Sequence, residues 1–458
     1  MSRPPAVVPE YPRHRERGPT RTVERDAARL LPGPRRVIIG LLDQAVIAAA
    51  NAANTVFALA LLDRRRAGIM LLSQGLGYLV LGVNRALVGE VLLTLASRCA
   101  GQRQRRLVSD GVSAAAGFAV VAALVLAVVW LVWPAAGGVD LRDLIWVAPF
   151  LPSLLVHDTG RYGYLADRRP QRALVIDAVW AGTQTLAVGA LWATDSVSAP
   201  GLFACWGVGA TAGAGAFLAR SRRRPWGGSP RRWFAETRHL SSWFTATALV
   251  GQFQTQAVGF LVVNQLSARE LSGLRAAQTA LLQPAQNVIT AVMGVVVPRA
   301  SRLAADESRS GPSPDRGAGP AAAGLHRQTR TLALGLAVLG AATVAVVVPL
   351  ARTVLGQLPK FADLGPLVLP IAIQPAIYLV QLPFAAAIRG MQRARLLCVQ
   401  YLSFTSTSLT GLVVGARLAG LAGAAWGLTT GSAVGLVAMI GLYWHAQCHP
   451  AGPEPAGG

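Results

Sequence analysis

Long apolar runs alternate with short polar or basic breaks along most of the chain. The pattern predicts twelve membrane-spanning helices, over about 37–62, 69–95, 111–133, 143–165, 173–194, 199–219, 240–264, 270–297, 329–351, 363–388, 396–416 and 420–444. Each run is close to the roughly 20 residues that cross a hydrocarbon core at a helical rise of about 1.5 Å. The third and ninth are the plainest, AAAGFAVVAALVLAVVWLVW and TLALGLAVLGAATVAVVVPL. Pro149 and Pro152 interrupt the fourth, Pro284 the eighth, and Pro375 and Pro383 the tenth. Such breaks persist where a neighbour or a cavity satisfies the freed carbonyls. A basic break over 220–239 divides the spans six and six, so both halves start on the same side. That suits two parallel bundles related by an axis along the membrane normal. The expected fold is an all-α polytopic membrane protein, about twelve transmembrane helices in two six-helix lobes around a central cavity. The expected segments are a basic tail at 1–36, a lobe at 37–219, a linker at 220–239, a second lobe at 240–444 and a tail at 445–458.

Polar residues inside the spans mark where the cavity lies. The second span holds Asn84, Arg85 and Glu90 in LGVNRALVGEVLLT. A charge at mid-span costs roughly 2.5–3.5 kcal/mol on insertion scales, so it faces a partner or a polar space. Gly75, Gly82 and Gly89 recur every seven residues, a stripe that predicts close approach of another backbone. Arg85 and Glu90 flank that stripe about 140° apart on an α-helix, so each needs a partner on another helix. Two functions fit this charge pattern, a structural ion-pair knot and the wall of a translocation cavity. In the first span Gln44, Asn51 and Thr55 form one line and Asp43 and Asn54 a second. Asp43 is a candidate for ion coupling, or a helix-start charge favoured by the dipole. Asp158 and Arg161 are three apart in the fourth span and are candidates for a structural ion pair. His157 stands beside them. The seventh span carries Gln252, Gln254, Thr255 and Gln256, and the eighth Arg275, Gln278, Thr279 and Gln286. Gln374, Tyr378 and Gln381 share a face of the tenth. Amides and rings suit sugars, and a guanidinium suits phosphate bidentately.

Composition agrees with a membrane chain: 458 residues, 53% hydrophobic and 14% charged. Net charge is +22, and all but one of the 43 basic residues are arginine. With the N-terminus placed in the cytoplasm, 32 basic residues fall inside and eight outside, a strong positive-inside bias. Topology thus accounts for the charge without a nucleic-acid partner. The misfit is Asp63-Arg64-Arg65-Arg66, which falls outside. A re-entrant first pair would leave every later loop on its side, so the count serves either arrangement. Trp226, Trp233 and Phe234 amid arginines place part of the linker on an anionic inner leaflet. The 303–328 break, rich in Ala, Gly, Pro and Ser, reads as a flexible cytoplasmic loop. Cys99, Cys205, Cys398 and Cys448 are scattered, so neither a disulfide framework nor a metal centre is expected. No phosphate loop or nucleophile elbow is present, which points away from an enzyme and a self-contained primary pump.

The order of these elements resembles the polysaccharide-biosynthesis flippases of the multidrug/oligosaccharidyl-lipid/polysaccharide exporter superfamily, relatives of the O-antigen flippases. The resemblance rests on LLDQAVIAAANAANTVFALALL, NRALVGEVLL, HDTGRYGYLADRRPQRALVIDAVW, ETRHLSSWF and SARELSGLRAAQTALLQPAQNV, and spans most of Val37–Trp444. It departs at DRRRAG, where such chains carry a short Gly-and-acid turn. The resemblance implies a MATE-like fold, a V-shaped cavity and alternating access in a bacterial plasma membrane with both termini cytoplasmic. The implied cargo is a polyprenyl-pyrophosphate-linked glycan, with glycan polymerases or glycosyltransferases as candidate partners and no cofactor. On it, Arg85 and Arg275 are candidates for anionic headgroup contacts, and Asn51, Asn54, Glu90 and Gln278 for the cavity wall. The alternatives are a proton- or cation-coupled exporter of drugs or metabolites, working through Asp43 or Glu90, and a non-transporting scaffold for glycan assembly.

Overall fold

The computed structural model describes residues 34–132, 141–310, 320–356 and 364–449. Every regular element among them is helical. Helix α1 (Pro34–Leu61) stops just before Asp63, whose extended backbone and carboxylate cap α2 (Arg64–Asn84) by accepting the Arg66 N–H at 3.0 Å. The DRRR break is therefore a helix start. A π-helical turn, Arg85–Gly89, carries α2 into α3 (Glu90–Leu95), which ends in a 3₁₀ turn, Ala96–Arg98. Next come α4 (Gly101–Val132), a 3₁₀ stretch Leu141–Phe150 holding Pro149, and α5 (Leu151–Ala166). The first half closes with α6 (Pro170–Ala193) and α7 (Ala199–Ser221).

The second half contains α8 (Pro230–Gln265), α9 (Ala268–Leu281), α10 (Gln283–Ser310), α11 (Pro320–Gly356), α12 (Gly365–Gly390) and α13 (Ala394–Cys448). Pro284 sits in the first turn of α10, where a missing N–H costs nothing, so the chain breaks between α9 and α10. The 55-residue α13 doubles back at Ala419–Gly420, and Gly420 holds a left-handed φ of 60°. Its two arms touch backbone to backbone at Gly411 with Gly427 and Gly415 with Gly423, where a methyl would strike a carbonyl. Counting α2 through α3, the 3₁₀ stretch with α5, and α9 with α10 as single spans, and α13 as two, gives the twelve expected. Nine helices among the described residues are long and apolar enough to cross a membrane.

Within the first half, α6 packs on α1 and α7, and α5 on α4 and α7, around buried Phe203, Trp206 and Phe217. Within the second, α12 packs on α10, α11 and α13. The halves meet where α1 lies along α10 and where the π turn and α4 lie along α8. The close approach expected at Gly75, Gly82 and Gly89 does not form between backbones. Gly75 faces open space, Gly82 faces the Gln252 amide, and Gly89 faces the Tyr162 ring. The α13 arms supply that kind of contact instead.

The stretch expected as a linker is the last turn of α7, a short strap, and the first ten residues of α8. The strap is pinned to α4. Ser113 Oγ donates to Pro225 O at 2.8 Å and accepts from Gly228 N at 2.9 Å, and Ser229 N donates to Asp110 Oδ1 at 2.8 Å. Trp233 is buried, at 1% exposure, which corrects its placement on a lipid surface; Trp226 at 62% stays exposed. Helix α10 runs to Ser310 and α11 starts at Pro320, so only 311–319 of the expected flexible loop lies outside the described residues. The same holds for 1–33 and 450–458 of the two tails.

Candidate functional site

A cavity of about 1160 Å³ lies between the halves, lined from both. Helix α1 supplies Gln44, Asn51 and Thr55, the polar line set by steps of seven and four. The second line turns away: Asp43 is 2% exposed and Asn54 1%. Asn54 is thus not part of the wall, a correction to its expected place, and neither of its amide atoms finds a hydrogen-bond partner. Across the cavity, α9 and α10 present Arg275, Gln278, Thr279 and Gln286. Helix α12 adds Gln374, Tyr378 and Gln381, and α8 adds Gln254 and Thr255.

The charges of the first half are paired in sequence-distant combinations. Arg161 Nη2 donates to Asp43 Oδ2 at 2.7 Å, joining α5 to α1. Its Nε lies 3.0 Å from Asp177 Oδ2 on α6, and His157 Nε2 is 3.0 Å from the other Asp177 oxygen. All four side chains are buried. Arg85 makes a two-pronged pair with Asp158, from Nη2 at 2.9 Å and from Nε at 3.1 Å to both oxygens. Asn84 donates to Thr159 at 3.2 Å beside it. The expected Asp158–Arg161 pair is therefore not what forms. A bond three residues apart on one helix gives way to partners that packing brings to each residue from α1, the π turn and α6. Arg161 and Asp158 remain structural ion-pair residues, but with Asp43, Asp177 and Arg85 as partners.

Glu90 and Arg85 both line the cavity although an α-helix would set them about 140° apart. The π turn explains this. Glu90 N–H donates to Arg85 O, closing an i→i+5 ring that is one residue wider and carries Glu90 back toward the Arg85 face. Glu90 then pairs across the halves, accepting from Arg389 Nε at 3.0 Å. The Arg389 guanidinium also stands 5.9 Å from the Phe244 ring centre. Arg275 differs from these. Its Nη2 donates to the Thr255 carbonyl at 3.0 Å, and no carboxylate is paired with it among the described residues. So the wall carries four arginines, three matched by acids of the first half and one, in the second half, held only by a backbone carbonyl.

Of the residues singled out in the sequence, Arg85, Arg275, Asn51, Glu90 and Gln278 come together at the cavity, while Asp43 stands behind Arg161. Asp177 and Arg389 were not singled out. Asp177 is an acid set within the apolar fifth span, the same signal that marked Glu90. Arg389 lies just past the expected end of the tenth span at 388, whereas α12 runs two residues further, to Gly390. No group of three or more His, Cys, Asp or Glu residues could hold a metal ion among the described residues.

No protein-family model matches the sequence, and no curated protein matches it. Solved structures do match. A MATE transporter in the bent conformation superposes with a TM-score of 0.74 at 10% identity, covering 92% of this chain and 96% of that one. A mutant of a Vibrio cholerae MATE transporter gives 0.71 at 12% identity, covering 93% and 98%. The chain has the MATE-transporter fold. A third similar structure, an outward-facing multidrug resistance MATE transporter of the MOP superfamily, gives 0.67 at 12% identity over 90% of this chain and 94% of that one. The MATE fold accounts for the two-lobe layout and for the cavity between the lobes.

Proposed function

We propose that the chain is a secondary exporter that carries an organic solute through the central cavity by alternating access. The observation that carries this reading is the cavity itself. It is shared between two lobes, lined by amides, hydroxyls and rings, and has three of its four arginines paired with acids. Such a wall offers a solute hydrogen bonds at little desolvation cost, since most of its ions are already matched. The MATE fold and the named transporters that share it support efflux over other membrane roles.

Asp43 is the residue proposed to couple transport to a proton or cation. Arg161 faces two carboxylates, Asp43 and Asp177, so these three side chains carry one negative charge in excess, beside His157 at 3.0 Å from Asp177. One bound proton or monovalent cation neutralises it. Asp43→Asn should therefore abolish gradient-driven efflux of a fluorescent dye from cells while the protein stays in the membrane. Glu90→Gln should slow efflux without uncoupling it, because Glu90 matches Arg389 one to one. If Asp43→Asn pumps dye normally against a gradient, this coupling role is wrong.

A second reading is favoured by Arg275. A guanidinium at the cavity, held by one carbonyl and set among Gln278, Thr279 and Gln254, suits an anionic group on a hydroxyl-rich cargo. That is the chemistry of a lipid-linked glycan, the cargo of the flippases the sequence resembles, drawn from the inner leaflet of a bacterial plasma membrane. Dye efflux, measured beside translocation of a polyprenyl-pyrophosphate-linked oligosaccharide, separates the two. Arg275→Gln should impair the glycan assay most if this second reading holds.

A further inference from the structure

Two arginines in equivalent places tie the halves together at one end of the cavity. Arg98 closes the 3₁₀ turn after α3, and its Nη2 donates to the carbonyl of Gly390, the last residue of α12 in the other half. Arg302, on α10, returns the bond. Its Nε donates to the Ser97 carbonyl, and its Nη2 to the Ala166 carbonyl at 3.3 Å, the last residue of α5. The tripeptide Ala-Ser-Arg stands at both places, 96–98 and 300–302. The acceptors correspond as well. Two residues beyond the ends of α5 and α12, the backbone turns left-handed, at Arg168 with φ 57° and Gln392 with φ 61°, and a new helix starts two residues later. Each half thus lends an arginine to the buried end of a helix in the other, as a two-fold axis along the membrane normal would produce.

The chemistry of this exchange is specific. The last carbonyls of a helix lack intrahelical donors and carry partial negative charge, which a guanidinium satisfies on both counts. Arg302 bridges two helix ends with the two arms of its fork, which a point-charge ammonium cannot do. Gly390 also meets its own half closely. A methyl there would lie 2.8 Å from the Ala300 carbonyl carbon, so the end of α12 packs directly on the Ala300–Arg302 segment of α10. Leu93, Leu165, Val297 and the Glu90–Arg389 pair line the cavity on the side of these contacts. All of this lies at the end that the arginine count assigns to the cytoplasm.

We propose that Arg98 and Arg302 are a reciprocal latch that holds the cytoplasmic end of the cavity shut, and that both bonds break together when that end opens. The place of the latch in a transport cycle rests on the exporter reading; its effect on which end admits water does not. Both bonds resist the same motion, so loss of either weakens one shared closure.

The test uses the full chain with its four cysteines replaced by serine and Met293→Cys added in the cavity wall, in vesicles of either orientation. The readout is the labelling rate by a membrane-impermeant maleimide from each side. Arg98→Gln and Arg302→Gln should each speed labelling from the cytoplasmic side by about tenfold, the worth of a bond to a charged group, and slow it from the other side. Arg103→Gln, an exposed arginine at the same end, should change neither rate. Unchanged labelling in both latch variants, at normal membrane level, overturns the proposal. A fall in thermal stability with unchanged labelling does so too, since the arginines would then only cap helices. Should the glutamine variants be lost from the membrane, Arg302→Lys keeps one donor and loses the bridge. A smaller rise in cytoplasmic labelling is then expected, and no rise overturns the latch. Because labelling needs no cargo, faster labelling in a protein that moves neither dye nor glycan leaves the latch standing and removes the exporter reading.

Discussion

At the scale of single residues, Arg161 stands between Asp43 and Asp177, all three buried, whereas Arg85 faces the cavity with one partner. Removing Arg161 leaves two buried carboxylates without a cation, a loss of roughly 3–5 kcal/mol for a broken buried pair. Arg161→Met should therefore lower membrane level and melting temperature sharply in detergent. Arg85→Met, at a half-exposed site where water and cargo screen the charge, should cost less stability and more transport. Equal losses in the two would argue against this division. The sequence showed which residues were charged within the spans, because a charge among apolar neighbours stands out at any depth. Their partners were not legible. Asp158 and Arg161 share a helix face, but helix packing offers each a better-placed charge from 73 or 118 positions away.

At the scale of elements, hydropathy located all twelve spans, since crossing a membrane demands length and apolarity from each run on its own. What hydropathy misses is how the backbone departs from a straight helix. The glycines of the second span suggested a contact that instead belongs to α13, where Gly411, Gly415, Gly423 and Gly427 let two arms touch. Gly423→Val or Gly427→Val should force the arms apart and remove most of the protein from the membrane fraction. Gly441→Val, on the same helix but facing open space, should leave it unchanged. The π turn was equally hidden, because its extra residue has no compositional mark.

At the scale of the whole molecule, the basic stretch that joins the halves is pinned to α4, where the sequence placed part of it on a lipid surface. Asp110 holds it from below, accepting the Ser229 N–H and pairing with Arg232 at 3.0 Å. Asp110→Ala should free the strap and make Arg222, Arg223 and Arg224 open to trypsin in inside-out vesicles, with the wild type resistant there. The two halves are therefore joined by a pinned strap at one corner and by arginine contacts near another. The π turn at Arg85–Gly89 sits between the cavity wall and those contacts, and it sets the phase between them. The same residues wound as an even α-helical ladder would swing everything after the turn by about 100°. Glu90 would leave Arg389, and Arg98 would leave Gly390, in the same step. The extra residue thus acts far from where it falls, keeping the cargo chamber in phase with its floor, and a deletion of one codon here should leave that phase intact, because an ordinary α-turn then fills the same arc.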